Sequence, residues 1–471
     1  MKKSLKAGIS LILAALLVFA SVIATAEEQD EKQEWTELAK NAFDNQDYAT
    51  SLQYFTLLAD AGDPSAQYMA ACHYFYCLGT EQDYGKAAEY FRMSADQGTP
   101  ASQSMLAVMY MNGLGVEQDV GKAAELGHQA AEGGDARAQS MLGWMYERGI
   151  GTEQDYEKAK EYYQLAADQG EPTAQVNLGV MYYNGLAVEQ SYEKAAEYYK
   201  LAADQGNIQG QMNLGWMYEQ GVGTEQNYEK AKEYYQLAAD QGNAQGQVNL
   251  GWMYDYGLGV EQDYEKAAAY YKLAADQGNA KGQLNLGWMY DFGYGVEQSY
   301  EKAIEYYKLA ADQGEPAAQT NLGILYEFGN GVPQSYEKAA EYYQLAADQS
   351  YAFGQAHLAQ LYEFGNGVEQ SSEQSLKYYQ LAADQGDSMG QWGMGKAYQF
   401  GVGVDVDYVK AAEYYQLSAD QEDPDGLECL GYLYLEGLGV EQSLEKAIEL
   451  YKLAAERGSE EAQQQLEILG Q

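Results

Sequence analysis

The sequence predicts an all-α fold, an α/α solenoid built as a right-handed superhelix of antiparallel helical hairpins. Three observations carry that reading: a period of 36 residues, prolines and glycines fixed within the period, and apolar residues spaced by three and four. The stretch Asn213 to Gly242, NLGWMYEQGVGTEQNYEKAKEYYQLAADQG, returns almost word for word at Asn249, 36 residues further on. Counted from Pro64, units begin at 64, 100, 136, 172, 208, 244, 280, 316, 352, 388 and 424, with no insertion or deletion before Ser459. Repetition of this kind means that each unit buries its apolar face against its neighbours.

Within the period the elements follow in order. Five of the six prolines (Pro64, Pro100, Pro172, Pro316, Pro424) fall at position 1 of a unit, where a fixed φ and a missing N–H suit the first turn of a helix, here called helix A. Glycines at positions 14 and 16, such as Gly221 and Gly223, end helix A in a turn that favours positive φ. Asp, Ser or Asn at position 20 (Asp155, Ser191, Asn227, Asp263) caps helix B, which runs to a glycine at position 35 (Gly170, Gly206, Gly242). Leu214, Met217, Tyr218 and Gly221 line one side of helix A, and Tyr228, Ala231, Tyr235 and Ala238 one side of helix B. Small residues let the helices approach and tyrosines fill the space between, so most of the 46 tyrosines are expected in the core.

The ends differ from the repeats. Residues 1–26 have the lysines, apolar run (Ile9 to Ile23) and Ala24-Thr25-Ala26 of a cleaved secretory signal, with an uncleaved anchor as the alternative. Residues 27–63 form a capping hairpin, 64–459 eleven tandem repeats, and 460–471 a polar C-terminal capping helix. The expected location is periplasmic or secreted. Removing the signal takes away three of 28 basic residues and none of 71 acidic ones, which moves the net charge from −43 to −46. Such a charge repels nucleic acid and anionic lipid, and no later segment could span a membrane.

The unit pattern Ala-x-x-x-Leu-Gly-x-x-Tyr-x-x-Gly-x-Gly-Val, then Asp-Tyr-x-Lys-Ala-x-x-Tyr-Tyr-x-x-Ala-Ala-x-x-Gly, resembles the Sel-one-like repeat family, relatives of the tetratricopeptide repeat. Unit 172–207 shows it at Ala174, Leu178, Gly179, Tyr182, Gly185, Val188, Tyr192, Lys194, Ala195, Tyr198, Tyr199, Ala202, Ala203 and Gly206, with Ala187 in place of the second turn glycine. The hairpin before it (Trp35, Leu38, Tyr48, Phe55) is similar to a divergent tetratricopeptide unit. The resemblance implies a scaffold for protein–protein or protein–peptide interaction, concerned with host contact, envelope regulation or assembly, and no one reaction. A penicillin-binding or β-lactamase-like hydrolase activity reported for cysteine-rich relatives is the enzyme alternative, but their regular cysteine pairs are missing here. A structural spacer is the third reading.

Positions 2, 6, 9 and 13 of helix A form one stripe opposite the Leu-Tyr core stripe. The tetratricopeptide likeness implies that this stripe lines a concave groove. Position 6 carries Asn177, Asn213, Asn249, Asn285 and Asn321; position 9 carries Trp144, Val180, Trp216, Trp252 and Trp288; position 13 carries Tyr256, Phe292, Phe328, Phe364 and Phe400. Two readings stay open. Asparagines clamp the backbone of an extended peptide while the rings form its pockets; or the rings tuck into seams between hairpins and the asparagines survive from duplication.

Other constellations lead less far. The acids of unit 208–243, Glu219, Glu225, Glu229, Glu233 and Asp240, read as solvated exterior, and none is singled out as an acid or base. Cys72, His73 and Cys77 lie close together; a Cys72–Cys77 disulfide, a zinc site and two separate thiols are the options. No catalytic residue, metal or cofactor is assigned. His128 sits in helix B, while His357 and Cys429 take the asparagine slot of position 6. His357 there reads either as a pH-sensitive group beside a ligand or as drift after duplication.

Overall fold

A computed structural model describes residues 29–470, so the signal-like segment 1–26 lies outside the described residues. Two compact units divide at Tyr234 and Tyr235, and each is a run of helical hairpins with no strand among the described residues. The first helix covers 29–44 and is followed by Tyr48–Asp60. From Pro64 on, each repeat supplies a helix A, as in Pro172–Asn184 and Ala280–Phe292, and a helix B, as in Tyr192–Asp204 and Tyr300–Asp312. The last helix is Glu460–Ile468.

The caps follow from the sequence. Each proline at position 1 stands in the first turn of its helix. Gly185 (φ 70°) and Gly293 (φ 74°) close helix A in the left-handed conformation, and their N–H groups donate to Met181 and Met289. Helix B is opened by the position-20 side chain: Asp155 accepts from the N–H of Lys158, Ser191 from that of Lys194.

Packing repeats as faithfully as the caps. In repeat 280–315, Leu286, Met289, Ala303, Tyr307 and Ala310 are buried. The ring of Tyr307 lies against Gly287, where a Cβ would come 2.6 Å from it, so the glycine is what admits the tyrosine. On the other side, Tyr290 and Tyr306 stack at 5.8 Å, with the Lys302 ammonium 4.7 Å over the Tyr290 ring. A buried glutamine at position 4 then links neighbours. Gln319 Oε1 accepts from Gln349 Nε2 at 2.9 Å, and its own Nε2 donates to the Ala311 carbonyl of the preceding repeat at 3.3 Å. Buried amides of this kind fix register, because a misplaced neighbour would leave them unpaired.

Candidate functional site

Position 13 is the last residue of helix A, just before the glycine cap, and its side chain projects past the packed core. Tyr256, Phe292, Phe328, Phe364 and Phe400 are 61, 56, 64, 55 and 63 % exposed, one ring in each of five consecutive repeats of the second unit. Exposure at this level separates them from the core and from the seams. The tryptophans at position 9 lie deeper: Trp216 is 39 % exposed, while Trp144, Trp252 and Trp288 are half-buried. Trp252 meets Tyr256 at 5.3 Å, and Trp288 meets Phe292 at 5.2 Å and Tyr294 at 5.0 Å, so rings join along the helix face. Trp288 also packs on the cores either side of its seam. Position 9 thus serves the seam in part, and position 13 stands open.

The asparagines Asn177, Asn213, Asn249, Asn285 and Asn321 are half-buried. Asn177, Asn213 and Asn321 lie beside the hydroxyls of Tyr163, Tyr199 and Tyr307 in the preceding helix B. Asn213 also accepts from Gln209 at 2.7 Å, and Asn249 from Gln245 at 2.8 Å. Part of the amide capacity is therefore spent within the fold. In the first unit the stripe borders three successive clefts of about 320, 420 and 460 Å³. The first two share Arg137, and the second and third share Asn177; Trp144 lines the second, Asn213 and Trp216 the third.

A row of acids at position 12, beside those rings, is not the solvated exterior expected of the charged residues. Asp255, Asp291, Glu327 and Glu363 accept the hydroxyls of Tyr271, Tyr307, Tyr343 and Tyr379 at 3.3, 3.2, 2.6 and 3.0 Å, and Glu147 accepts that of Tyr163 at 2.7 Å. Burial pushes the carboxyls of Asp255, Asp291 and Glu327 above the usual range, against the pull of the tyrosine hydrogen bond. The signal was present in the sequence: an acid recurring at one helix position together with a tyrosine recurring at position 28.

Where position 6 changes, the surroundings change too. The His357 side chain is 13 % exposed, with its ring stacked 5.0 Å from Tyr343, edge-to-face with Phe353 at 4.6 Å, and Nδ1 4.0 Å from Glu327. Neither ring nitrogen has a hydrogen-bond partner, and burial lowers its pKa to about 4. Cys429 is buried enough to push its thiol up to about 11. His128 lies between the hydroxyls of Tyr146 and Tyr162, each at 3.2 Å.

The Cys72–Cys77 disulfide is not formed; both thiols are free, as is Cys429. Cys77 takes the left-handed position that follows helix A (φ 61°) and turns its Sγ to the Thr80 carbonyl at 3.0 Å, away from Cys72 on the helix. His73 is instead a core residue, bonded to Ser51 and the Leu78 carbonyl. No metal-binding group of His, Cys, Asp and Glu occurs among the described residues, and no described helix is long and apolar enough to cross a membrane. Ser-x-x-Lys tetrads do occur, at Ser191, Ser299, Ser335 and Ser443. In each the serine is a helix cap, and the lysine ammonium lies 4.7 to 5.0 Å from a tyrosine ring.

The family model for the Sel1 repeat matches at 45–63, then in unbroken 36-residue steps from 64–99 to 388–423, and at 430–459. Among solved structures, a protective antigen of uropathogenic Escherichia coli strains that displays an SLR fold is 32 % identical. The alignment covers 89 % of this chain and 93 % of that one, with a TM-score of 0.70. A Sel1 repeat protein from Oxalobacter formigenes is 28 % identical over 52 % of this chain and 96 % of its own, with a TM-score of 0.48. No curated protein matches the sequence.

Proposed function

Because the chain belongs to the Sel1 repeat family, whose members bind proteins, we propose that it is a secreted or periplasmic scaffold that docks a protein or peptide partner along the helix A faces. The observation that carries this is the row of five rings at position 13, each more than half exposed. Monomeric proteins rarely leave large rings in register on the surface unless something covers them. Within the second unit, half-buried Trp252 and Trp288 at position 9 and Asn249, Asn285 and Asn321 at position 6 extend the same surface with hydrogen-bonding groups and rings. Export rests on the charged, apolar and small-residue order of residues 1–26. The likeness to a protective antigen favours host contact over envelope assembly as the setting.

The experiment is capture with the mature chain immobilised, against a variant of matched melting carrying Phe292→Ser, Phe328→Ser and Phe364→Ser. Host fluid and envelope extract are passed over both, and bound protein is cross-linked and identified. A partner held by the parent and lost from the variant is the expected result. Equal retention by both would remove the aromatic stripe from the account, and capture of nothing by either would favour a spacer.

A further inference from the structure

One lysine of this chain pairs with a largely buried position-12 acid whose counterparts in three earlier repeats have no lysine or arginine partner among the described residues. Glu363 divides its two oxygens: Oε2 accepts the Tyr379 hydroxyl at 3.0 Å, and Oε1 pairs with Lys396 Nζ at 2.7 Å. The same ammonium lies 5.5 Å from the centre of the Phe364 ring and 4.4 Å from Trp392. A cation is thus held between a carboxylate and aromatic faces, with only 22 % of the lysine side chain exposed. Lys396 comes from position 9 of the next repeat, where the other repeats place different residues.

The same acid and ring stand side by side in three earlier repeats, as Asp255–Tyr256, Asp291–Phe292 and Glu327–Phe328. In each, one carboxylate oxygen is bound by the helix B tyrosine, and the adjacent ring is more than half exposed. The residue in the place of Lys396 is Trp288, Ile324 or Gln360. Among the described residues no lysine or arginine pairs with these acids; the one basic side chain near them is His357, 4.0 Å from Glu327.

We propose that these three acid–ring pairs are subsites for the lysine or arginine side chains of an extended basic segment on the partner, filled in repeat 352–387 by the chain's own Lys396. The inference deepens the docking reading and rests on it. The chain's charge of −43 draws such a segment in, and the paired ring and carboxylate fix where its cations sit. Neighbouring helices lie roughly 10 Å apart, which an extended peptide covers in about three residues, so its basic side chains would recur at about every third position.

The test uses the mature chain and a fluorescent peptide of about twelve residues, long enough for three subsites at this spacing, with lysine at every third residue. A matched peptide has norleucine in place of each lysine. Binding is measured at physiological salt for the parent, for Asp291→Asn with Glu327→Gln, and for Lys396→Met, after circular dichroism has shown equal folding. The amide variants still accept the tyrosine hydroxyl but lose the charge. The lysine peptide should bind the parent roughly tenfold more tightly than the norleucine peptide, and the amide double variant should lose about that factor. Lys396→Met should bind the lysine peptide several-fold more tightly than the parent, because it frees a fourth subsite.

If all three proteins bind the lysine peptide alike, its attraction is the diffuse effect of net charge and the proposal is overturned. If the norleucine peptide binds as well as the lysine peptide, and Phe292→Ser with Phe328→Ser abolishes both, the rings take apolar side chains. The cation subsites then fall while the docking reading stands. If neither peptide binds, the subsites are again overturned, and the docking reading is judged by its own capture experiment.

Discussion

At the scale of single residues, the most consequential groups are the carboxylates that the tyrosines of helix B hold against the helix A face. Tyr343→Phe removes the hydroxyl that Glu327 accepts and leaves a buried acid short of a partner, which should cost about 1–3 kcal/mol in denaturant unfolding. Glu327→Gln keeps an acceptor in the same place and should cost much less. His357 bears on the pH dependence. Its folded pKa, near 4, lies below the ordinary 6.5, so the folded state binds fewer protons between those values. The stability this contributes is complete above pH 6.5 and is lost as the pH falls towards 4, up to about 3 kcal/mol. The raised carboxyls of Asp255, Asp291 and Glu327 act oppositely, adding stability as the pH falls into the carboxylate range. His357→Asn, which restores the residue of the earlier repeats, should therefore flatten the acid-side loss in melts between pH 7 and 4; an unchanged profile would contradict the neutral ring.

At the scale of helices, the fit of a helix B tyrosine over a helix A glycine sets how closely a hairpin closes. Repeat 352–387 shows a natural variation on it: Ala359 replaces the glycine, and Tyr379 instead lies over Gly393, which replaces the asparagine of the next repeat. Gly287→Ala by itself should overpack Tyr307 and destabilise by about 1–3 kcal/mol. Adding Asn321→Gly gives that ring the same room, so the double variant should cost less than the sum of its parts in a double-mutant cycle. Strict additivity would mean that the two exchanges at 359 and 393 are unrelated. Much at this scale was legible in the sequence, because prolines at position 1, glycines at 14 and caps at 20 act through local backbone chemistry. The tyrosine–acid pairs and the glutamine links were harder to read. They join residues 16 and 30 apart, and the acids of one period look alike until burial separates them.

At the scale of the molecule, repeats meet their neighbours through recurring glutamine, tyrosine and small-residue contacts, so stability should be close to a sum over repeats and interfaces. Deleting residues 280–315 as one period rejoins equivalent helices, and the shortened chain should keep the helical signal per residue of its parent. Loss of cooperative folding would show that the repeats are not interchangeable. The stripe at positions 6, 9 and 13 could be located by periodicity, but only coordinates separate the exposed rings at 13 from the half-sunk tryptophans at 9. That difference makes the central claim testable without disturbing the core, since surface substitutions usually change stability by about 0.5 kcal/mol or less. The direct measurement is the affinity of the captured partner for the mature chain and for a Phe292→Ser, Phe328→Ser, Phe364→Ser variant with matched melting. A docking surface made by these rings should lose affinity by a factor of ten or more, on the order of 1.4 kcal/mol; equal affinities would place the partner elsewhere on the chain.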